Sequence, residues 1–247
     1  MNYQNELEKI PFYKLHPSYI PFVGRNYDEY KILQISESHY CEAITDREKY
    51  GIRYFENWFS TKCAEVENNL IGENFTRNVC NGVLKNENTF RNFDNPLRSF
   101  CNIVLKYGNI RLSKYNDNRK NYSYFAFMNF YQIPAFKDKA CFKDAFYKEA
   151  KSENIPKDEQ YKIIEKWRNE STSLIDEVID ILNPRAVVFT SIDAWESYDN
   201  NNGKYKNDNR IIRSAHPNWP WNKFQRKLDK TGKQAFEDGL KRIYLCE

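Results

Sequence analysis

The chain has 247 residues, with 38 Lys and Arg against 34 Asp and Glu, a formal net charge of +4. That length suits one full α/β domain with its own core and is short for two independent ones. A balance so weakly positive does not by itself signal a nucleic-acid partner, so any basic footprint must be local.

Apolar runs such as Ala186 to Phe189 fall far short of the ~20 residues that a membrane helix requires. Met1 to Lys14 alternates charge with aromatics and lacks the apolar centre of a secretory signal. The six cysteines include no Cys-x-x-Cys pair, which argues against a zinc knuckle and a disulfide framework. A cytoplasmic protein with free thiols and no membrane partner is expected.

Tyr30 to Ser36 reads as the first core strand, with β-forming residues before a polar break. From about 46 to 107, apolar residues at three-to-four spacing predict several helices, a helical insertion into the domain. Tyr122 to Asn129 is a second strand, which Pro134 is expected to keep from continuing as sheet. The best helix lies between Asp158 and Asn183, with Ile163, Ile164, Trp167, Leu174, Ile175, Val178, Ile179 and Leu182 on one stripe, stopped by Asn183-Pro184.

Arg185 to Thr190 is a fully buried strand, and Ser191 to Trp195 begins a short helix behind it. A polar loop, Asp199 to Asn209, precedes a fourth strand at Arg210 to Ser214, and a last helix is expected over about Lys223 to Tyr244. Strands alternating with helices predict an α/β fold: a three-layer αβα sandwich with a central, mainly parallel four-stranded sheet, one domain over 1–247. Ligands of such sheets bind beyond the carboxyl ends of the strands.

Three polar clusters follow three of the strands: Ser36-Glu37-Ser38-His39-Tyr40, then Asn129, then His216-Pro217-Asn218. Each is short, and His16-Pro17-Ser18 shows that a His-Pro pair also arises without meaning. Each has a bland reading. Glu37 caps a following helix, His39 is a histidine held by a carbonyl, Asn129 closes a turn, and Trp219 and Trp221 are packing. A metal alternative sets Glu37, His39 and Cys41 along one strand with His216 as a fourth ligand.

Taken in order, the clusters resemble the uracil-DNA glycosylase superfamily, which has a Gly-Gln-Asp-Pro-Tyr-like motif after strand one, an Asn ending strand two and His-Pro-Ser after strand four. The resemblance covers about Tyr30 to the end. It implies a base-excision hydrolase that flips uracil or another modified base from single- or double-stranded DNA and breaks its N-glycosidic bond without a cofactor. It makes His216 the catalytic histidine that steadies the departing base. It also makes Asn129 the reader of the base edge and Tyr40 the aromatic of a pocket shared with Ser36, Ser38, His39 and Asn218.

Two positions depart from the pattern. Ser38 stands where the best-known branch has a water-activating aspartate, and His39 replaces proline. Glu37 is then the expected base. Trp219 and Trp221 occupy the place of a minor-groove wedge, and Lys223, Arg226 and Lys227 are placed to meet phosphates. Loss of the aspartate leaves a second reading open, a non-catalytic nucleic-acid or base-binding module, and the metal alternative implies a metal-dependent hydrolase.

Overall fold

A computed structural model describes residues 2–40, 50–62, 76, 80, 123–136, 141–216 and 219–244. Five strands form one sheet: β1 (Phe22–Val23), β2 (Ile32–Tyr40), β3 (Phe125–Ala135), β4 (Ala186–Phe189) and β5 (Ile211–Arg213), in the order β1-β3-β2-β4-β5. β2 pairs in parallel with β3 and β4, and β4 in parallel with β5. The expected four strands are therefore five. The addition, β1, is antiparallel to β3 through Phe22↔Phe127, and at two residues it is too short to carry a period in the sequence.

The α-helices among the described residues are α1 (Tyr3–Leu7), α2 (Pro11–Leu15), α3 (Tyr27–Tyr30), α4 (Ile52–Phe55), α5 (Phe142–Ser152), α6 (Lys157–Leu182), α7 (Ile192–Asn200) and α8 (Gly232–Tyr244). α6 forms where the stripe predicts it. Asp158 and Glu159 occupy its first turn, where carboxylates oppose the helix dipole. Asn183 closes it in the left-handed conformation, φ 42°, its N–H donating to the Ile179 carbonyl at 2.8 Å, and Pro184 bars continuation.

Alternation along the strands divides the core. Leu33, Ile35, Met128, Phe130, Val187 and Phe189 join the α6 stripe in one cluster. Ile32, Phe125, Ala186, Val188 and Ile212 join Phe236 and Leu240 of α8 in another. Each fully buried side chain of this size contributes about 1.5–3 kcal/mol, so both clusters matter to the fold.

Two boundaries differ from expectation. β3 runs through Pro134, which faces His39 of β2 after a register shift. β1 pairs with β3 only at Ala126 and Phe127, so among the described residues the outer side of β3 at Pro134 has no strand to which a missing N–H matters. The last helix begins at Gly232, not Lys223, because a hairpin of β6 (Phe224–Gln225) and β7 (Lys230–Thr231) comes first. Asp229 turns that hairpin at φ 53°. Thr231 Oγ1 then accepts from Gln234 N at 3.1 Å while Gln234 Oε1 accepts from Thr231 N at 3.0 Å, a reciprocal cap that fixes the helix start.

His16 is fully buried. Its ring stacks on Trp58 at 3.9 Å, and Trp58 Nε1 donates to the Gln132 carbonyl at 2.7 Å, which ties the amino-terminal segment to β3. Among the described residues no helix is long and apolar enough to cross a membrane. Of the expected insertion over 46–107, the structure describes 50–62, which hold α4 and a 3-10 turn at Trp58–Ser60, and the isolated positions 76 and 80.

Candidate functional site at the carboxyl edge of the sheet

The polar residues late in β2 and after β4 and β5 sit where parallel strands release their carboxyl ends. Glu37 lies in the second half of β2, beside two helix starts. Its Oε1 accepts from the backbone N–H of Phe142, the first residue of α5, at 2.7 Å. Its Oε2 accepts from Ser191 Oγ at 3.0 Å, and Ser191 in turn caps α7 by accepting from Ala194 N at 3.2 Å. Beside it Cys141, the residue before α5, places its Sγ 2.9 Å from Asp193 Oδ2.

Burial pushes the Glu37 carboxyl above its ordinary range; the bonds from Phe142 and Ser191 oppose this shift and the Asp193 charge adds to it. The Cys141 thiol is raised by burial and then by Asp193, so at neutral pH it is a neutral donor to that carboxylate. Glu37, Cys141 and Asp193 bring their possible ligand atoms within 4.8 Å of one another, a spacing that fits a cation. Two facts weigh against one. Both Glu37 oxygens already accept hydrogen bonds, and the starts of α5 and α7 present partial positive charge to this corner.

Next to this corner opens a cleft of about 420 Å³, lined by Ser191, Asp193, Ala215, His216, Arg226 and Lys227 among others. His216 reaches it on a short tether from β5. Ser214 N donates to the Phe189 carbonyl at 2.9 Å, extending the ladder, and Ser214 Oγ donates to the Gly232 carbonyl at 2.9 Å. A Cβ on Gly232 would lie 2.7 Å from Ala215 Cβ and 3.0 Å from Ala215 N, so only glycine lets α8 approach this closely. His216 is exposed. Burial of the ring against the cleft wall lowers its pKa below the ordinary 6.5, which favours the neutral imidazole at neutral pH.

The structure brings Glu37 and His216 to neighbouring places, with Ser191 between them: it bonds Glu37 and lines the cleft with His216. Glu37 is not among the cleft's described lining residues, and its two inward bonds give it the capping role rather than a free carboxylate. Asn129 is elsewhere. It is 5% exposed and pairs in register with Ser36, one residue out of phase with Glu37, so alternation sends the Asn129 and Glu37 side chains to opposite sides of the sheet. Ser36 Oγ lies 3.0 Å from Thr190 Oγ1, and Ser38 pairs with Tyr131. Neither of these serines is among the cleft's described lining residues.

Trp221 requires a correction. It is 3% exposed and its ring lies 5.5 Å from Phe236; it packs beneath α8 and offers no wedge. Lys227 pairs with Glu196 at 2.6 Å, which offsets its attraction for phosphate; Lys223, Arg226 and Lys227 are all exposed. The side chains of His39, Tyr40, Cys41, Asn218 and Trp219 lie outside the described residues. Sequence reasoning missed Ser191, Asp193, Cys141 and Gln225. The first two follow β4 and were reachable by the same strand-end rule, but Ser-Ile-Asp also reads as an ordinary helix start. Cys141 carries no local signal.

Comparison of the chain with protein families, with curated proteins and with solved structures gives no match.

Proposed function

We propose that the cleft receives a nucleic-acid base turned out of its strand and that the chain hydrolyses the N-glycosidic bond of uracil or another modified base in DNA. In this reading the fold is the three-layer αβα arrangement of a divergent uracil-DNA glycosylase. The observation that carries it is the exposed His216 lining a cleft of about 420 Å³ beyond the ends of β4 and β5, which Arg226 also lines. That volume falls within the roughly 300–1,000 Å³ of small-molecule sites. A neutral imidazole N–H can steady the charge that develops on a departing base without bringing a full positive charge into contact with it.

A cation at the rim is suited to a flanking phosphate, which fixes the strand while the base enters. The chemistry calls on side chains and water alone. Incubating the protein with single- and double-stranded DNA carrying uracil or other altered pyrimidines should produce abasic sites, detected as alkali-labile breaks. Cleavage that persists undiminished in His216→Ala refutes the role of the histidine, and a set of substrates left wholly intact refutes the hydrolase.

One observation favours the second reading, a base- or nucleic-acid-binding module without catalysis: the Glu37 carboxylate is bonded inward at both oxygens. Salt-dependent DNA binding without bond cleavage would establish that reading.

A further inference from the structure

We infer that Asp193, not Glu37, is the carboxylate that takes the proton of the attacking water, an assignment that rests on the glycosidic reading of the cleft. A general base needs an oxygen within hydrogen-bond reach of the water. Glu37 has both oxygens committed, one to Phe142 N at 2.7 Å and one to Ser191 Oγ at 3.0 Å, and it stands behind Ser191. Asp193 lines the cleft with His216. Among the described residues its carboxylate has a single hydrogen-bond partner, the Cys141 thiol at Oδ2, 2.9 Å away. Among the described residues the other oxygen has no hydrogen-bond partner and can meet a water.

The support behind Asp193 fits the role. It lies in the first turn of α7, a helix whose start is fixed by the Ser191 cap and, through Ser191, by Glu37. Burial and the neighbouring carboxylates keep the Cys141 thiol protonated, so it donates to Asp193 and restrains the carboxylate's rotation. Cys141 and Glu37 are thus positioning residues, and Asp193 touches the reacting water. This accounts for a chain that has Ser38 in the aspartate's expected place: a carboxylate enters from the βα turn after β4 rather than from the turn after β2.

The step balances with one water. Its oxygen forms a bond to C1′ of the sugar as the C1′–N bond breaks, and the bonding pair leaves with the base. The water's proton passes to Asp193 and its hydroxyl stays on the sugar. His216 N–H holds the departing base anion, which takes the proton from Asp193 directly or through water, returning the carboxylate to its starting state. One water is consumed for each base released.

Single-turnover base release, DNA affinity and thermal melting of wild type, Asp193→Asn, Asp193→Glu and Glu37→Gln, on a uracil-containing single strand, test the assignment. Asp193→Asn should lower the rate by about 10²–10³-fold, the range of a lost general base, with DNA affinity within about twofold and melting unchanged. Asp193→Glu should recover part of the rate, while Glu37→Gln should chiefly lower the melting temperature. Should Asp193→Asn fail to fold, Cys141→Ala carries the test. Its rate should fall about tenfold as the carboxylate loses its restraint, and an unchanged rate overturns the assignment. A wild type that cuts while Asp193→Asn cuts as fast, or loses affinity in proportion to rate, overturns the role of Asp193 alone. A wild type that releases no base overturns the glycosidic reading and this assignment with it.

Discussion

The two corners of the sheet's carboxyl edge are built from similar residue types and used differently. Where β2 meets α5 and α7, Glu37, Ser191 and Cys141 point their polar atoms at one another and at backbone N–H groups. Where β5 meets the β6–β7 hairpin, His216, Arg226 and Asp193 line the cleft. The first corner holds two helices in place, and the second is left to meet a ligand. A strand-end motif therefore locates the edge of the sheet, but the hydrogen-bond inventory decides which corner is available for chemistry.

The largest effect that separates the corners should come from His216→Ala. Base release should drop by about 10²–10³-fold, the cost of one donor to a developing anion, with unfolding free energy changed by less than about 0.5 kcal/mol, as for exposed positions. Glu37→Ala should do the reverse and lose about 2–3 kcal/mol in urea unfolding, since it strands a buried N–H and a buried hydroxyl. Equal stability losses at the two positions would erase the distinction between the corners.

Gly232→Ala should come next, at about 1–3 kcal/mol for overpacking. Because the displaced neighbour is Ala215, it should also slow base release in the correctly folded fraction, measured by active-site titration. A destabilised variant with wild-type turnover would detach α8 from the placement of His216. Glu37 also predicts a pH signature. Its carboxyl is raised in the folded state, so its contribution is full below the ordinary value of 4.5 and is lost as pH climbs through the raised one. The melting-temperature difference between wild type and Glu37→Gln should therefore narrow from pH 4 towards pH 7, and a difference that widens contradicts a buried carboxyl.

The smallest contrast lies on the hairpin. Arg226→Ala should flatten the salt dependence of DNA binding by about one unit of slope. Lys227→Ala, whose cation is already met by Glu196 at 2.6 Å, should change it less. Equal slopes for the two variants would mean that the Glu196 pair does not withhold Lys227 from phosphate.

Much of the scaffold is legible in the sequence for physical reasons. The α6 stripe of buried residues runs from Ile163 to Leu182 and the helix ends on Asn183-Pro184, while Ala186–Phe189 is apolar because both of its sides are covered. β1 is not legible, being two residues that pair with β3. The sequence does carry the true start of α8, in Thr231-Gly-Lys-Gln234, but the cationic residues before it continue a helical-looking pattern and mask the hairpin. At the site, the order of motifs along the chain places Glu37 and His216 near one edge. It does not show that strand alternation turns Asn129 away from Glu37, or that Cys141 and Asp193, distant in the chain, meet beside Glu37. Trp221 is conspicuous in sequence and buried in space, since a large aromatic before a helix serves a core as readily as a ligand.

Only three histidines occur in the chain, and His16 is sealed under Trp58, so His216 can be followed by its own imidazole resonances in an NMR titration. With a uracil-containing strand whose glycosidic bond resists hydrolysis, the His216 ring signals should move in step with binding while those of His16 stay in place. Saturable DNA binding that leaves His216 unmoved would place the ligand somewhere other than this cleft and contradict the account.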